Sequence, residues 1–163
     1  MTDNRELFGT LHREYRGMVL QLCLGFMKGD LEQAKDLSQQ VFINIWQALS
    51  KFKGESSYKT WIYRICVNTC LKFIRDRKDN LKIPIDDLQV AVTDDQNQPS
   101  AVRNQSLYIA IGQLGEVDRL IIMMILDELE YHEISAVVGI SEGNLRVKIH
   151  RIKKQLKNIL ENE

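Results

Sequence analysis

The sequence is poor in the residues that break helices or staple loops. Only two prolines occur in 163 residues, Pro84 and Pro99, and both fall in one stretch. Proline removes an amide donor and clashes with the preceding turn, so the long proline-free segments on either side are free to be helical. The three cysteines (Cys23, Cys66, Cys70) are too few, and odd in number, for a disulfide framework. They point to a reducing cytoplasm. Long apolar runs are missing too. The longest, Leu120 to Leu126, falls far short of the ~20 residues that span a membrane, so no membrane insertion is expected. The opening Met1-Thr2-Asp3-Asn4-Arg5-Glu6 is not a secretory signal. Net charge is absent, with 22 basic and 22 acidic side chains, which excludes a globally basic nucleic-acid binder but not local patches. The nine glycines are dispersed and form no phosphate-cradling loop.

What is present is helical periodicity. Hydrophobic residues make up 44% of the chain, enough for one ordinary domain or two small ones. Between Asp79 and Gln105 the periodicity fades into turn formers such as Asn80, Pro84, Asp86, Asp87, Asp94, Asp95, Asn97 and Pro99. The fold class is therefore all-α, with two small helical domains joined by a flexible linker. The boundaries expected are 1–80, an acidic linker at 81–105, and 106–163. Charge divides along the same line. Residues 1–80 carry 13 basic and 9 acidic groups, and residues 106–163 carry 7 and 9. The linker is long enough for the halves either to pack together or to stay apart.

In the first half, Leu7, Leu11, Tyr15, Met18, Leu22 and Phe26 mark one helix. A second begins at Asp30, with Gln33 in capping-box position, and repeats Ala34, Leu37, Val41, Ile45 and Leu49. After the loop Lys51-Phe52-Lys53-Gly54-Glu55, Ser56 or Ser57 caps a third helix running to about Lys78. In the second half a helix is expected from about Ser106 to Leu114, then one from about Glu116 to Leu129. The apolar run inside the latter has strand propensity, but its context favours a buried helix. A short helix from Tyr131 to Val138, the turn Gly139-Ile140-Ser141 and a last helix from Glu142 to about Leu160 form a helix-turn-helix pattern. Gly139 suits a left-handed helix end, and Ser141 suits a cap.

Three surfaces carry chemistry. On the last helix Leu145, Ile149, Ile152, Leu156 and Ile159 form an apolar stripe, and Arg146, His150, Lys153, Lys154 and Lys157 lie broadly opposite. Such a face neutralises phosphates while residues near the helix start reach base edges; its bland alternative is a solvated charged face. On the third helix Thr60, Arg64, Asn68, Lys72 and Arg75 share an arc, with Phe52, Tyr58, Trp61 and Tyr63 in or after the loop. Cations and aromatic faces together suit unpaired bases, although the aromatics of an ordinary amphipathic helix belong to its core. On the second helix Asp36, Gln40, Asn44 and Gln47 surround Ile43, which reads either as a protein-contact face or as one exposed isoleucine.

No catalytic constellation stands out. His12, His132 and His150 are scattered, so no enzyme is expected. Cys66 and Cys70 lie four apart on an apolar face with no evident further ligand, and read as buried thiols; no metal or cofactor is expected.

Two blocks resemble something specific. The run from Ala34-Lys35-Asp36-Leu37-Ser38-Gln39-Gln40-Val41-Phe42-Ile43-Asn44-Ile45-Trp46 through Phe52-Lys53-Gly54 to Thr60-Trp61-Ile62-Tyr63-Arg64-Ile65-Cys66-Val67-Asn68 resembles region 2 of bacterial extracytoplasmic-function (ECF) sigma factors, in the sigma-70 family. Glu133-Ile134 through Gly139-Ile140-Ser141-Glu142-Gly143, then His150-Arg151 and Leu156, resembles region 4. Two departures from the family pattern stand out. Leu114-Gly115 replaces a common Leu-Pro, and Asn144-Leu145-Arg146-Val147 replaces a common Thr-Val-Lys-Ser.

The resemblance implies a promoter-recognition subunit that binds core RNA polymerase and directs transcription initiation without catalysing it, in the cytoplasm and at the nucleoid. It implies core-polymerase contacts at Asp36, Gln39, Gln40 and Ile43. It implies −10 DNA contacts at Phe52, Lys53, Tyr58, Trp61, Arg64, Asn68 and Lys72. The −35 element would meet Asn144, Arg146 and Val147 at its bases, and Lys148, His150, Arg151 and Lys154 at phosphates. The acidic linker would thread the polymerase interior, and an anti-sigma factor is an expected partner. Two other readings remain: a stand-alone helix-turn-helix regulator, and a sigma-like decoy or adaptor that binds polymerase without initiating.

Overall fold

Asp3 opens the first helix by accepting the Arg5 amide at 3.1 Å, and α1 runs Asn4–Phe26. The computed structural model describes residues 3–81 and 99–162. Helix α1 ends in two left-handed residues, Lys28 (φ 59°) and Gly29 (φ 87°). The Met27 and Gly29 amides then reach back to the Cys23 and Leu24 carbonyls at 2.8 Å, satisfying acceptors the helix would leave open. Helix α2, Leu31–Ala48, is capped by Asp30, which accepts the Gln33 amide at 3.1 Å. The reciprocal half of the expected capping box is replaced. The Gln33 side chain donates to the Asp30 carboxylate at 2.8 Å and accepts from Arg77 of the third helix at 3.0 Å. A long-range partner has thus drawn it from the backbone.

A short 3-10 turn, Leu49–Lys51, leads to the loop, and α3 spans Tyr58–Leu81. Ser57, not Ser56, is its cap: the Ser57 Oγ accepts the Thr60 amide at 3.2 Å. Val19, Leu22, Cys23, Val41, Ile45, Ile62, Cys66 and Cys70 fill the core of this three-helix unit and are sealed from solvent.

Helix α4 spans Pro99–Gly112 and so begins well before the expected Ser106. Proline fits the first turn of a helix, where its missing amide donor has no acceptor to lose. Residues 99–105, read as linker, are helical. The rest of that linker reading, 82–98, lies outside the described residues. Helix α5, Glu116–Leu126, is a helix and not a strand, and it ends three residues earlier than expected. Asp127 closes it, and Glu128 turns left-handed at φ 62°. Gly115 precedes α5 with φ −61°, the value proline would impose, so the Leu-Gly departure leaves the backbone path unchanged.

Helices α6, Tyr131–Val138, and α7, Glu142–Glu161, form the helix-turn-helix. Gly139 is left-handed (φ 74°, ψ 27°), and Ser141 accepts the Asn144 amide at 3.3 Å. The Ser135 hydroxyl donates across the turn to the Ile140 carbonyl. Leu145, Ile149 and Ile152 are buried as the stripe requires, with Leu156 and Ile159 packed partly beneath. No strand occurs among the described residues.

The two halves dock. Helix α5 lies against α1, and α6 against α3. This explains why α5 is apolar nearly all round: its own domain covers one side and α1 covers another.

Candidate polymerase and nucleic-acid interface

Asp36, Gln39, Gln40 and Ile43 are all exposed on α2, and Ile43 keeps 49% of its surface. Sequence reasoning missed Trp46, one turn on, which keeps 46% and meets Phe8 edge-on at 5.3 Å. A tryptophan three residues after an exposed isoleucine is the signal that could have found it. Asn44, by contrast, is not free. It accepts from Gln40 at 3.0 Å and donates to Thr69 of α3 at 2.9 Å, so it ties the two helices together.

Phe52 stacks on Tyr58, with ring centres 4.5 Å apart and planes 27° from parallel, and meets Trp61 at 5.0 Å. The structure thus gathers the three expected aromatics into one half-buried cluster at the start of α3. Lys53 is exposed beside it, where Gly54 turns the loop at φ 72°. Arg64, Asn68 and Lys72 project to solvent along one ridge of α3, four residues apart. Neither Arg64 nor Lys72 pairs with a carboxylate among the described residues. Their charge is therefore not neutralised internally.

On α7, Asn144, Arg146, Val147, His150, Arg151 and Lys154 are exposed. Val147 keeps 52% of its surface. Lys148 differs from this set. It is half-buried, and its Nζ lies 2.9 Å from Asp118 Oδ1 on α5, so it braces α7 against its own domain.

Between the halves, opposite charges meet. Lys59 of α3 sits 3.5 Å from Asp127, and Lys78 sits 3.0 Å from Glu116. Tyr63, read beforehand as an aromatic of the α3 loop region, is buried and donates to the Asp127 carboxylate. Burial, then the hydrogen bond and charge of Asp127, push its phenol far above the usual range. Arg119 of α5 is buried. Its Nε donates to the Phe26 carbonyl at 3.0 Å and its Nη1 to the Leu114 carbonyl at 2.7 Å, with the guanidinium 5.2 Å from the Phe26 ring centre. Phe26 ends α1, so a cation from the second half caps the negative end of a helix in the first. Gly25 lets α5 approach: a Cβ there would run into the Met123 side chain.

The thiol reading needs one correction. Cys66 and Cys70 do have a third sulfur beside them. Cys23 of α1 joins them, and the three Sγ atoms lie within 4.8 Å of one another. Helix packing made that contact, and no spacing in the sequence announces it.

Two family models match: Sigma-70 region 2 over residues 11–79 and Sigma-70 region 4 over residues 104–156. Among curated proteins, the chain is 25% identical to the ECF RNA polymerase sigma factor SigW of Bacillus subtilis, over 96% of this chain and 92% of that one. It is 26% identical to the ECF RNA polymerase sigma-E factor of Escherichia coli K12, over 95% and 87%. Among solved structures it superposes on the sigma factor RpoE of Bartonella quintana, solved with the anti-sigma factor NepR. The TM-score is 0.81 at 20% identity, covering 96% of this chain and 98% of that one. CnrH, solved with the cytosolic domain of CnrY, gives a TM-score of 0.70 at 20% identity, covering 99% and 92%. A three-helix unit with a polar face and basic ridge, followed by a helix-turn-helix, is the region 2 and region 4 arrangement, and the chain belongs to the sigma-70 family. Within that family it is an ECF sigma factor, a subunit that directs RNA polymerase to promoters. No helix among the described residues is long and apolar enough to cross a membrane.

Proposed function

We propose that this sigma factor docks on bacterial core RNA polymerase through Asp36, Gln39, Gln40 and Ile43, with Trp46 extending the face. The −10 element meets Phe52, Lys53, Tyr58, Trp61, Arg64, Asn68 and Lys72. The −35 element meets α7, with Asn144, Arg146 and Val147 toward bases and His150, Arg151 and Lys154 toward phosphates. Lys148 reaches DNA only by leaving Asp118. The protein catalyses nothing itself, works in the cytoplasm at the nucleoid, and is held inactive by an anti-sigma partner. The observation that carries this reading is the pair of solvent-facing basic ridges, one per domain, on a chain with family matches to both regions.

The docked halves bear on how it works. Elements centred about 25 base pairs apart lie about 85 Å apart along B-DNA. A compact chain of this length has a radius of gyration of only about 15 Å. The domains therefore part before both elements are read, and the docked form is a resting state.

The test is transcription. The purified protein is added to bacterial core polymerase with a fragmented genomic library, and transcript starts are sequenced. New starts that share a two-part upstream motif support the reading. A folded protein that yields none overturns it: co-purification with core then indicates a decoy, and tight specific DNA binding without core indicates a stand-alone regulator.

A further inference from the structure

Cys23 on α1 and Cys66 and Cys70 on α3 have no solvent-accessible surface, and their sulfurs converge within 4.8 Å. Cys66 and Cys70 stand one helical turn apart and face α1 together, with Cys23 opposite. Three sulfurs bound trigonally at about 2.3 Å from a common centre stand about 4 Å from one another. Small side-chain rotations close the present arrangement to that size.

The donor set selects the ligand. All three donors are soft sulfurs, and no histidine or carboxylate among the described residues completes the group. Magnesium, calcium and manganese prefer oxygen donors, and structural zinc takes four ligands. A soft monovalent ion content with three sulfurs remains.

We propose that Cys23, Cys66 and Cys70 form a three-thiolate site for one Cu(I) ion in the core of the region 2 domain. Binding forms three copper–sulfur bonds and releases the thiol protons to solvent. Copper supplied as Cu(I) keeps its oxidation state, so no oxidant or reductant enters. The three thiolates and one Cu(I) leave two negative charges on the site.

The experiment uses the full chain, reduced and handled without oxygen, and titrated with Cu(I) held by bicinchoninate. The expected result is one copper withdrawn per chain, a sulfur-to-copper charge-transfer band in the ultraviolet, and three sulfur neighbours in copper-edge X-ray absorption. Cys66→Ala, checked for native helicity by circular dichroism, is expected to bind more than about a hundredfold more weakly. Failure of the folded protein to withdraw copper overturns the proposal. So do a two-sulfur copper shell, unchanged affinity in folded Cys66→Ala, and stronger retention of Zn(II) than of Cu(I). If Cys66→Ala does not fold, the sulfur count on the unaltered protein decides.

Discussion

Arg146 and Lys154 are both exposed cations on α7, yet they should behave differently. Arg146 lies in the first turns of the recognition helix, where a guanidinium can grip a guanine edge with two hydrogen bonds. Arg146→Ala is expected to cost ~1–3 kcal/mol at the preferred −35 sequence and to relax preference at one base pair. Lys154, two turns on, is proposed to meet phosphate, so Lys154→Ala should weaken all sequences alike and reduce the salt dependence by about one ion. Binding of the polymerase holoenzyme to a −35 library at several salt concentrations separates the two. Tyr63 supports a prediction in pH. Its folded-state pKa is raised by burial and by Asp127, whereas an unfolded tyrosine ionises near its ordinary 10.0. The resulting stabilisation is complete below that value and is lost as pH climbs above it. Denaturant unfolding between about pH 9 and about pH 11 should show a steeper loss for the natural protein than for Tyr63→Phe.

At the scale of the element, α2 divides its work by face. Ala34, Leu37, Val41 and Ile45 are buried against α1 and α3, and Asp36, Gln39, Gln40 and Ile43 project outward. Changing Asp36 and Ile43 together to alanine should leave unfolding unchanged within about 0.5 kcal/mol, as surface substitutions usually do. Core-polymerase affinity should fall by at least about tenfold, or 1.4 kcal/mol. Co-sedimentation with core, alongside thermal unfolding, checks both halves; unchanged affinity would mean that another face docks. Much of α2, α6 and α7 was legible beforehand because their apolar spacing and their caps at Asp30, Gly139 and Ser141 are local. The early start of α4 was not, because Pro99 looks alike as a breaker and as a first-turn residue. Nor was the choice between Ser56 and Ser57, since either hydroxyl could have met the first turn of α3.

At the scale of the whole molecule, docking is the feature with the largest consequence. The basic residues Lys59 and Lys78 come from the first half and the acidic Asp127 and Glu116 from the second, so the charge division of the chain is used across the seam. Such half-exposed pairs contribute little singly. The buried Arg119 cap and the Gly25–Met123 approach set the geometry. Gly25→Leu keeps a good helix former in α1, gaining roughly 0.8 kcal/mol of helix propensity, while its side chain takes the space of Met123. The expected outcome is separation of the domains, seen as a radius of gyration well above about 15 Å in small-angle X-ray scattering. Apparent affinity for core polymerase should rise, because a resting closed state no longer competes. A compact variant with unaltered affinity would mean that docking does not limit assembly.

The sequence by itself determined the all-helical class, the helix-turn-helix and the order of charge along both basic ridges. These depend on periodicity, capping and charge order, which act over a few residues and are written along the chain. Only the tertiary structure decided that Asn44 is a tie between helices, that Lys148 braces α7, and that Tyr63 and Arg119 lock one half to the other. The same holds for the meeting of Cys23 with Cys66 and Cys70. Each is a contact between residues far apart in the chain, made by how helix surfaces interlock, and a side chain's local spacing carries no record of the surface it will meet.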